Sequence, residues 1–371
     1  MTKILAPSKF DVVGSFLRPE ELKIVREKFA KGEISEEELK KVEDREIEKL
    51  VKKQKEAGLK IISDGEFRRS WWRFDFFWGL KGIEKYTLAE DELIHFHGET
   101  LRPDGIKIVG KISGKNHPFL DHYKFIKGFE DENTVAKQTI PSPAQLLRSV
   151  YSQIKKGNPY EDAKDFIKDV AEAYGEFFNE IYEIGCRNIQ LDDCAWGSVV
   201  DPSFAERFHV DASSLEELKE EYLKINNDAI EKAPKGLNIT THICRGNYKS
   251  HYASEGSYDS VADYVLAREK VSAFYLEYDD ERSGDFKALA KIPKGKKVVL
   301  GIVTSKRPEL ENKEELIKRI KDAANYIPLE NICISPQCGF SSTEEGNVLT
   351  EEDQWKKIGL IKEIVAEVWG E

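Results

Sequence analysis

Hydrophobic residues recur along this chain as short apolar runs separated by longer amphipathic stretches. The runs predict eight strands, at 11–17, 59–65, 134–141, 187–193, 237–244, 272–279, 297–304 and 331–337. Most are almost continuously apolar, which is typical of parallel strands buried on both faces. The stretches between them place apolar residues at a period of about 3.6. They predict helices at 143–157, 160–184, 213–232, 258–270, 312–325 and 351–369.

Two passages repeat one local order of helix, glycine, buried strand and acidic residues. One helix has Ser35 as its N-cap and ends at Gly58, ahead of LKIISDGE (59–66). The other ends at Gly185, ahead of CRNIQLDD (186–193). Repeated βα units account for this order, and eight of them predict an α/β fold of the (β/α)8 TIM barrel type. A doubly wound open sheet is the alternative, although no glycine-rich phosphate motif follows the first strand.

One long stretch interrupts this alternation after strand 2. The separation between the second and third predicted strands is too long for a plain βα loop. We predict an insertion at about 67–133 within a single catalytic barrel domain that spans 1–371. The insertion begins with the aromatic segment RRSWWRFDFFWG (68–79). This segment either packs its own small core or supplies Trp71, Trp72 or Trp78 to a lid or substrate wall.

Composition narrows the classes of function. The net charge of −11 argues against nucleic acid or an anionic membrane as the main partner. The first ten residues lack the apolar core of a signal peptide, and no apolar run reaches membrane-spanning length. We therefore expect a cytoplasmic location. The 5 cysteines are too few for a disulfide scaffold in a chain of 371 residues, so we interpret them as thiols or metal ligands.

Candidate metal ligands lie where the predicted strands end. His242 and Cys244 end the fifth strand two residues apart, so their side chains point the same way. Glu277 lies in the sixth strand and Cys338 follows the eighth. These strand ends meet at one mouth of a barrel, and an imidazole, a carboxylate and two thiolates are ligands that suit zinc. The alternatives are simple packing of buried cysteines and an ion pair of Glu277 with Arg282.

The same mouth collects other polar residues from the remaining strands. Ser15 lies near the end of the first strand, Glu66 follows the second, and Asp192 ends the fourth. We assign Cys194 to this acidic end of the fourth strand. The two remaining cysteines, Cys186 and Cys333, begin their strands and should lie at the opposite end of the barrel.

Six motifs, taken in chain order, resemble the catalytic C-terminal barrel of cobalamin-independent methionine synthase. They are VVGSFLRPEEL, ISDGEFRR, IQLDDCAW, THICRGN, YLEYDD and SPQCGF. The resemblance covers nearly the whole chain, without the family's N-terminal half-molecule, as in a stand-alone single-barrel type. It implies a catalytic zinc held by His242, Cys244, Glu277 and Cys338. It also implies a homocysteine site formed by Ser15, Glu66 and Asp192.

The reaction implied by this resemblance is zinc-dependent methyl transfer to a thiol, converting homocysteine to methionine with 5-methyltetrahydrofolate as the donor. Zinc with two thiolates, an imidazole and a carboxylate is electron-rich, which suits binding and deprotonation of a substrate thiol better than hydrolysis. Glu66 and Asp192 suit the ammonium group of the amino acid. Ser15 and nearby backbone amides suit its carboxylate.

Three departures from the family's motifs leave the methyl donor open. Asp192-Asp193-Cys194-Ala195-Trp196 replaces a DEPAL-type sequence, Thr304-Ser305-Lys306 replaces a His-Ser pair, and TIPSP (139–143) replaces TGPVT. The donor is therefore a folate, a methylated corrinoid protein or a simpler methyl compound. Another zinc-thiolate alkyl transfer, a thiol other than homocysteine and a non-catalytic thiol-binding module are the alternative functions.

Three basic residues are candidates to contact an anionic methyl donor. They are Arg68 and Arg69, which open the aromatic segment, and Lys137 in the third predicted strand. The alternative interpretation is that all three are solvated charges.

Overall fold

The computed structural model describes residues 4–89, 95–96, 99–100, 104–155, 159–207 and 210–370. The helices are α1 (Glu20–Ala30), α2 (Glu36–Ala57), α3 (Phe74–Gly79), α4 (Phe119–Lys127), α5 (Pro143–Lys155), α6 (Ala163–Glu183), α7 (Cys194–Val199), α8 (Phe204–Arg207), α9 (Ala212–Ile230), α10 (Asp259–Val261), α11 (Lys313–Ala323) and α12 (Glu351–Trp369). The strands are β1 (Ile61–Ile62), β2 (Lys81–Thr87), β3 (His95–Phe96), β4 (Glu99–Thr100), β5 (Asp104–Ser113), β6 (Val135–Ala136), β7 (Gln138–Pro141), β8 (Asn188–Asp193), β9 (Asn238–Ile243), β10 (Ala273–Glu277), β11 (Lys297–Val303) and β12 (Ile332–Pro336).

A parallel sheet in chain order forms the centre of the fold. Strands β7 to β12 pair with their sequence neighbours, all in parallel. On one side the sheet continues through β6, which precedes β7 directly and pairs with β1. On the other side Phe10 forms a parallel bridge to Ile334 of β12. The amide of Phe16 donates to the carbonyl of Gly65 at 3.1 Å and joins the two ends. The predicted (β/α)8 TIM barrel is confirmed.

The first two barrel strands are shorter than the sequence predicts. For the predicted strand 11–17, ladder pairing is limited to the bridge at the preceding Phe10, although the amides of Asp11 and Phe16 donate to the carbonyls of Ile334 and Gly65. For the predicted strand 59–65, the ladder covers Ile61–Ile62. The chain leaves the extended conformation at Gly65 (φ 67°) and Glu66 (φ 60°), and this turn ends the second strand early.

The insertion lies between β1 and β6, and its residues 90–94, 97–98 and 101–103 lie outside the described part of the chain. It contains α3, α4 and an antiparallel pair of β2 with β5. Phe76 of α3 packs against four rings of α4, α6 and their flanks, at centroid distances of 4.3 to 5.5 Å. An antiparallel bridge between Trp71 and Thr343 ties the start of the insertion to the loop after β12. The division of the chain into one domain stays a prediction.

Candidate metal centre and substrate cleft

Three strand ends bring the four candidate ligands together. His242 lies in β9 and Cys244 directly after it, Glu277 ends β10, and Cys338 follows β12. The ligating atoms of these four buried residues all lie within 4.8 Å of one another. The sulfur atoms of Cys244 and Cys338 are 3.6 Å apart. The structure therefore places together the four residues that the sequence singles out as a metal site.

The turn after β9 fixes two of these side chains through backbone amides. The amide of Arg245 donates to Oε1 of Glu277 at 3.1 Å, and the amide of Gly246 donates to the sulfur of Cys244 at 3.2 Å. The ion pair of Glu277 with Arg282, considered as an alternative from the sequence, is not formed, because Arg282 pairs with Asp280. Nε of Arg282 donates to both carboxylate oxygens of Asp280, at 2.7 and 2.8 Å.

The unpaired atoms of this cluster fit a cation. Both ring nitrogens of His242 and Oε2 of Glu277 are buried without a hydrogen-bond partner among the described residues. Each such atom costs about 1–3 kcal/mol if it stays unsatisfied. The thiol of Cys194 raises the pKa of Cys244, and Cys244 together with burial raises the pKa of Cys338. Two thiolates side by side therefore need a positive charge between them, and this nitrogen, oxygen and sulfur donor set suits zinc.

The predicted substrate residues face the same space as the cluster. Ser15, Glu66 and Asp192 line one cleft together with His242, Cys244 and Cys338. Glu277 is fully buried and is absent from the described lining of this cleft. The cleft thus combines the candidate metal centre with the residues that the sequence assigns to an amino-acid substrate.

Two carboxylates line this cleft, and one of them, Glu66, lies 3.5 Å from Nη1 of the buried Arg69. Oγ1 of Thr139 donates to Oε1 of Glu66 at 2.8 Å, and Oε2 of Glu66 is buried without a partner in the described structure. Nε2 of Gln190 donates to Oδ1 of Asp192 at 2.7 Å. Burial and the neighbouring charge of Glu66 raise the pKa of Asp192 well above its ordinary value. A buried carboxylate whose pKa is raised by burial and by a second carboxylate favours an incoming cationic group such as an ammonium.

The aromatic segment serves both purposes that the sequence allows. Trp71 and Trp72 line the cleft, and the ring of Trp71 stacks on Tyr248 with centroids 6.1 Å apart. Trp78 instead stacks on Phe74, and its Nε1 donates to the carbonyl of Gly105 at 3.1 Å. The segment therefore contributes a cleft wall and also packs a local core.

The three basic residues proposed from the sequence do not line this cleft, and none is a solvated charge. Nζ of Lys137 lies inside the barrel, 3.2 Å from Oδ1 of Asp11. Arg68 pairs with Glu43 at 3.1 Å, and Nη2 of Arg69 donates to the carbonyl of Thr139 at 2.6 Å. Each charge is neutralised or hydrogen-bonded by its own neighbours, so the sequence interpretation was wrong for all three.

Several cleft residues were missed by the sequence analysis, and among them are a thiol and two positive charges. Cys194, assigned to the acidic end of strand 4, also interacts with Cys244 and lines the same cleft. Arg73 and Arg148 also line the cleft. The one available signal was position: Arg73 directly follows the two tryptophans, and Arg148 follows the departing motif TIPSP (139–143).

Comparison with known proteins agrees with this geometry. The profile of the family described as "Cobalamin-independent synthase, Catalytic domain" matches residues 10–352. The chain belongs to the cobalamin-independent methionine synthase family. The resemblance found in the motifs is thereby confirmed, and the family is one of methyltransferase-type enzymes.

Individual members of this family cover almost the whole chain. The uncharacterized protein YxjH of Bacillus subtilis is 42% identical over 365 residues, which is 98% of this chain and 95% of that protein. The methionine synthase of Pyrococcus abyssi is 25% identical and covers 89% of this chain and 85% of that protein. A Listeria monocytogenes structure described as a vitamin-B12-independent methionine synthase superimposes with a TM-score of 0.78, at 35% identity and full coverage of both chains. The B12-independent methionine synthase of Shewanella sp. W3-18-1 shares the fold, with a TM-score of 0.71, 18% identity and 96% coverage of each chain.

Among the described helices, none combines the length and the apolar character needed to cross a membrane. The cytoplasmic location and the absence of a nucleic-acid partner, both expected from composition, stay predictions.

Proposed function

We propose that this protein is a zinc-dependent S-methyltransferase that methylates the thiol of homocysteine to form methionine. The observation that carries this proposal is the convergence of His242, Cys244, Glu277 and Cys338, because all but Glu277 also line the cleft. The cleft also contains the carboxylates of Glu66 and Asp192, and the unpaired Oε2 of Glu66 supports an amino-acid substrate. Membership of the family supports the reaction type.

The residues of this chain would position the substrate as follows. Glu66 and Asp192 accept hydrogen bonds from the ammonium group, which offsets the burial and the repulsion that raise the pKa of Asp192. Oγ of Ser15 lies so close to Gly339 that a Cβ added to this glycine would be only 1.9 Å from it. The hydroxyl of Ser15 therefore lies directly beside the loop that carries Cys338. Ser15 and nearby amides take the carboxylate. The thiol of the substrate then points toward the four ligands.

When bound, zinc would hold the substrate thiol and favour its thiolate form. In the reaction, the thiol gives up its proton and its sulfur forms a bond to the methyl carbon. The bond between that methyl group and the donor breaks, and its electron pair stays on the donor. The walls formed by Trp71 and Trp72 would shield the transferred group from water.

The proposed donor is 5-methyltetrahydrofolate, as in the family. Where the family has a His-Ser pair, Nζ of Lys306 donates to the carbonyl of Gly246 at 3.0 Å and to Asn247 at 3.1 Å. This lysine holds the loop after β9 and leaves no imidazole at that position. The alternative is a methyl donor that reacts without a histidine at this position. No feature of the described residues favours a corrinoid protein.

Zinc-edge absorption spectra with and without homocysteine test the proposal. We expect one zinc per chain after reconstitution, with two sulfur ligands that become three when homocysteine is added. A protein that retains far less than one zinc would refute the metal site. Normal zinc and thiol binding without turnover, with folate or any other methyl donor, would indicate a thiol-binding module instead.

A further inference from the structure

Two arginines line the cleft without an acidic partner among the described residues. Arg73 is the N-cap residue of α3 and Arg148 lies on α5, and both line the cleft with Cys194 and Ser198. Arg73 is only 6% exposed, and its Nε is buried without a hydrogen-bond partner among the described residues. Neither arginine has an ion pair or hydrogen bond to any residue that the structure describes.

Aromatic rings hold the guanidinium of Arg73 in place. Its Cζ lies 4.4 Å from the ring centre of Phe74, 5.6 Å from that of Trp71 and 5.8 Å from that of Trp72. Rings attract a cation but accept few of its hydrogen bonds. The N–H groups of Arg73 are therefore positioned and still available for a ligand.

The electrostatics of this end of the cleft favour an anion. Burial, with a smaller contribution from the positive charge of Arg148, lowers the pKa of Arg73 to about 10. Arg73 is thus still charged at neutral pH and lies close enough to Arg148 to feel its charge. Two like charges in a partly buried space are unfavourable unless an anion lies between them. Planar guanidinium groups bind carboxylate and phosphate groups in a bidentate manner.

We propose that Arg73 and Arg148 form an oxyanion site that binds a carboxylate or phosphate group of the methyl donor. The assignment to the donor rests on the proposed function, because Ser15, Glu66 and Asp192 already provide for the amino-acid acceptor. The two arginines come from other elements, the insertion and α5, and so belong to a second substrate. Anion binding itself does not depend on the reaction.

Calorimetric titration of the zinc-loaded protein tests the site directly, with inorganic phosphate and glutarate as separate probes at constant ionic strength. We expect one anion per chain, and binding weakened about tenfold or more in Arg73→Met and Arg148→Met. Arg307→Met, at an exposed position outside the cleft, should bind as the wild type does. Tighter binding of phosphate would identify a phosphate-bearing donor, and tighter binding of glutarate a carboxylate-bearing one.

Two results would overturn the site: no binding of either probe to the wild type, or unchanged binding in both cleft variants. If Arg73→Met does not fold, Arg73→Lys gives the same test, because a lysine keeps the charge and loses the planar fork. Zinc content and the spectral response to homocysteine should stay unchanged in all these variants. Failure of the anion site is thereby distinguishable from failure of the proposed function.

Discussion

The centre of the barrel and its C-terminal mouth both bury polar side chains, and they differ in whether those groups satisfy one another. At the centre, Nζ of Lys137 lies 3.2 Å from Asp11, 2.7 Å from the carbonyl of Val12 and 2.9 Å from Oε1 of Gln190. The hydroxyl of Tyr275 donates to the other carboxylate oxygen of Asp11 at 3.0 Å. Every charge in this network has its counterpart within the chain.

At the mouth, several buried polar atoms lack a hydrogen-bond partner among the described residues. His242 and Glu277 keep buried atoms without partners, Glu66 has an unpaired oxygen, and Arg73 has an unpaired Nε. This difference in pairing distinguishes the buried polar groups that stabilise the fold from those that are arranged to bind a ligand. A satisfied network contributes to stability, whereas a group left unsatisfied beside a cleft indicates binding.

The largest expected effect follows from removing a ligand at the mouth. Cys244→Ser and Cys338→Ser should each reduce zinc far below one per chain and abolish turnover, because a hydroxyl is a poor replacement for a thiolate ligand. Metal analysis of the reconstituted protein and a methyl-transfer assay measure both. Cys186→Ser is the control, since this buried thiol lies outside the cluster and bonds to the carbonyl of Asn188. Full zinc retention in either ligand variant would show that the ligands are wrong.

The opposite result is expected at the centre. Lys137→Met leaves the carboxylate of Asp11 buried without its cation, which should lower the free energy of unfolding by roughly 3–5 kcal/mol. Zinc per folded chain should not change. Denaturant unfolding measures the loss, and Lys318→Met, at an exposed lysine of α11, is the control. A loss below about 1 kcal/mol would mean that the central network does not stabilise the fold as argued.

Glu269 tests an unsatisfied group that lies away from the cleft. Both of its carboxylate oxygens are buried without a partner in the described structure, and burial followed by the charge of Asp193 raises its pKa to about 8. The protonated form is therefore favoured in the folded state. Its stabilising contribution is complete below about pH 4.5 and is lost as the pH rises through 8.

Glu269→Gln should accordingly be more stable than the wild type at pH 9, by roughly 3 kcal/mol, and about equal to it at pH 4.5. Unfolding curves at the two pH values measure this difference. Glu217→Gln, an exposed position of α9, should show no such divergence. If Glu269→Gln and the wild type change in parallel with pH, the carboxylate has a partner that the structure does not reveal.

The smallest effect concerns the close approach of α7 to the strand that carries two of the ligands. A Cβ on Gly197 would lie 1.8 Å from the carbonyl oxygen of Cys244, a backbone atom that cannot rotate away. Gly197→Ala should therefore cost about 1–3 kcal/mol and weaken zinc binding about 10–100-fold. Gly359→Ala in α12 meets nothing within 4 Å and should leave zinc binding unchanged. Equal behaviour of the two variants would contradict the importance of this contact.

Much of the fold follows from local pattern. The predicted strand at 187–193 corresponds to β8 and that at 297–304 to β11, because a strand buried on both faces needs an unbroken apolar run. The strand predicted at 11–17 was only partly correct, because an apolar run does not reveal where the sheet pairing begins and ends. Strand order then placed His242 and Glu277 at one end, because parallel strands all finish at the same mouth.

The sequence by itself thus determined the barrel, the family and the four residues that converge at the candidate metal centre. Only the tertiary structure decided which charges are paired. It paired Lys137 with Asp11, brought Cys194 into interaction with Cys244, and placed Arg73 of the insertion in the same cleft as Arg148. Periodicity fixes the face on which a side chain lies. The pairing of charged side chains depends on contacts between residues that are far apart in the chain. The local pattern of the sequence does not predict these contacts.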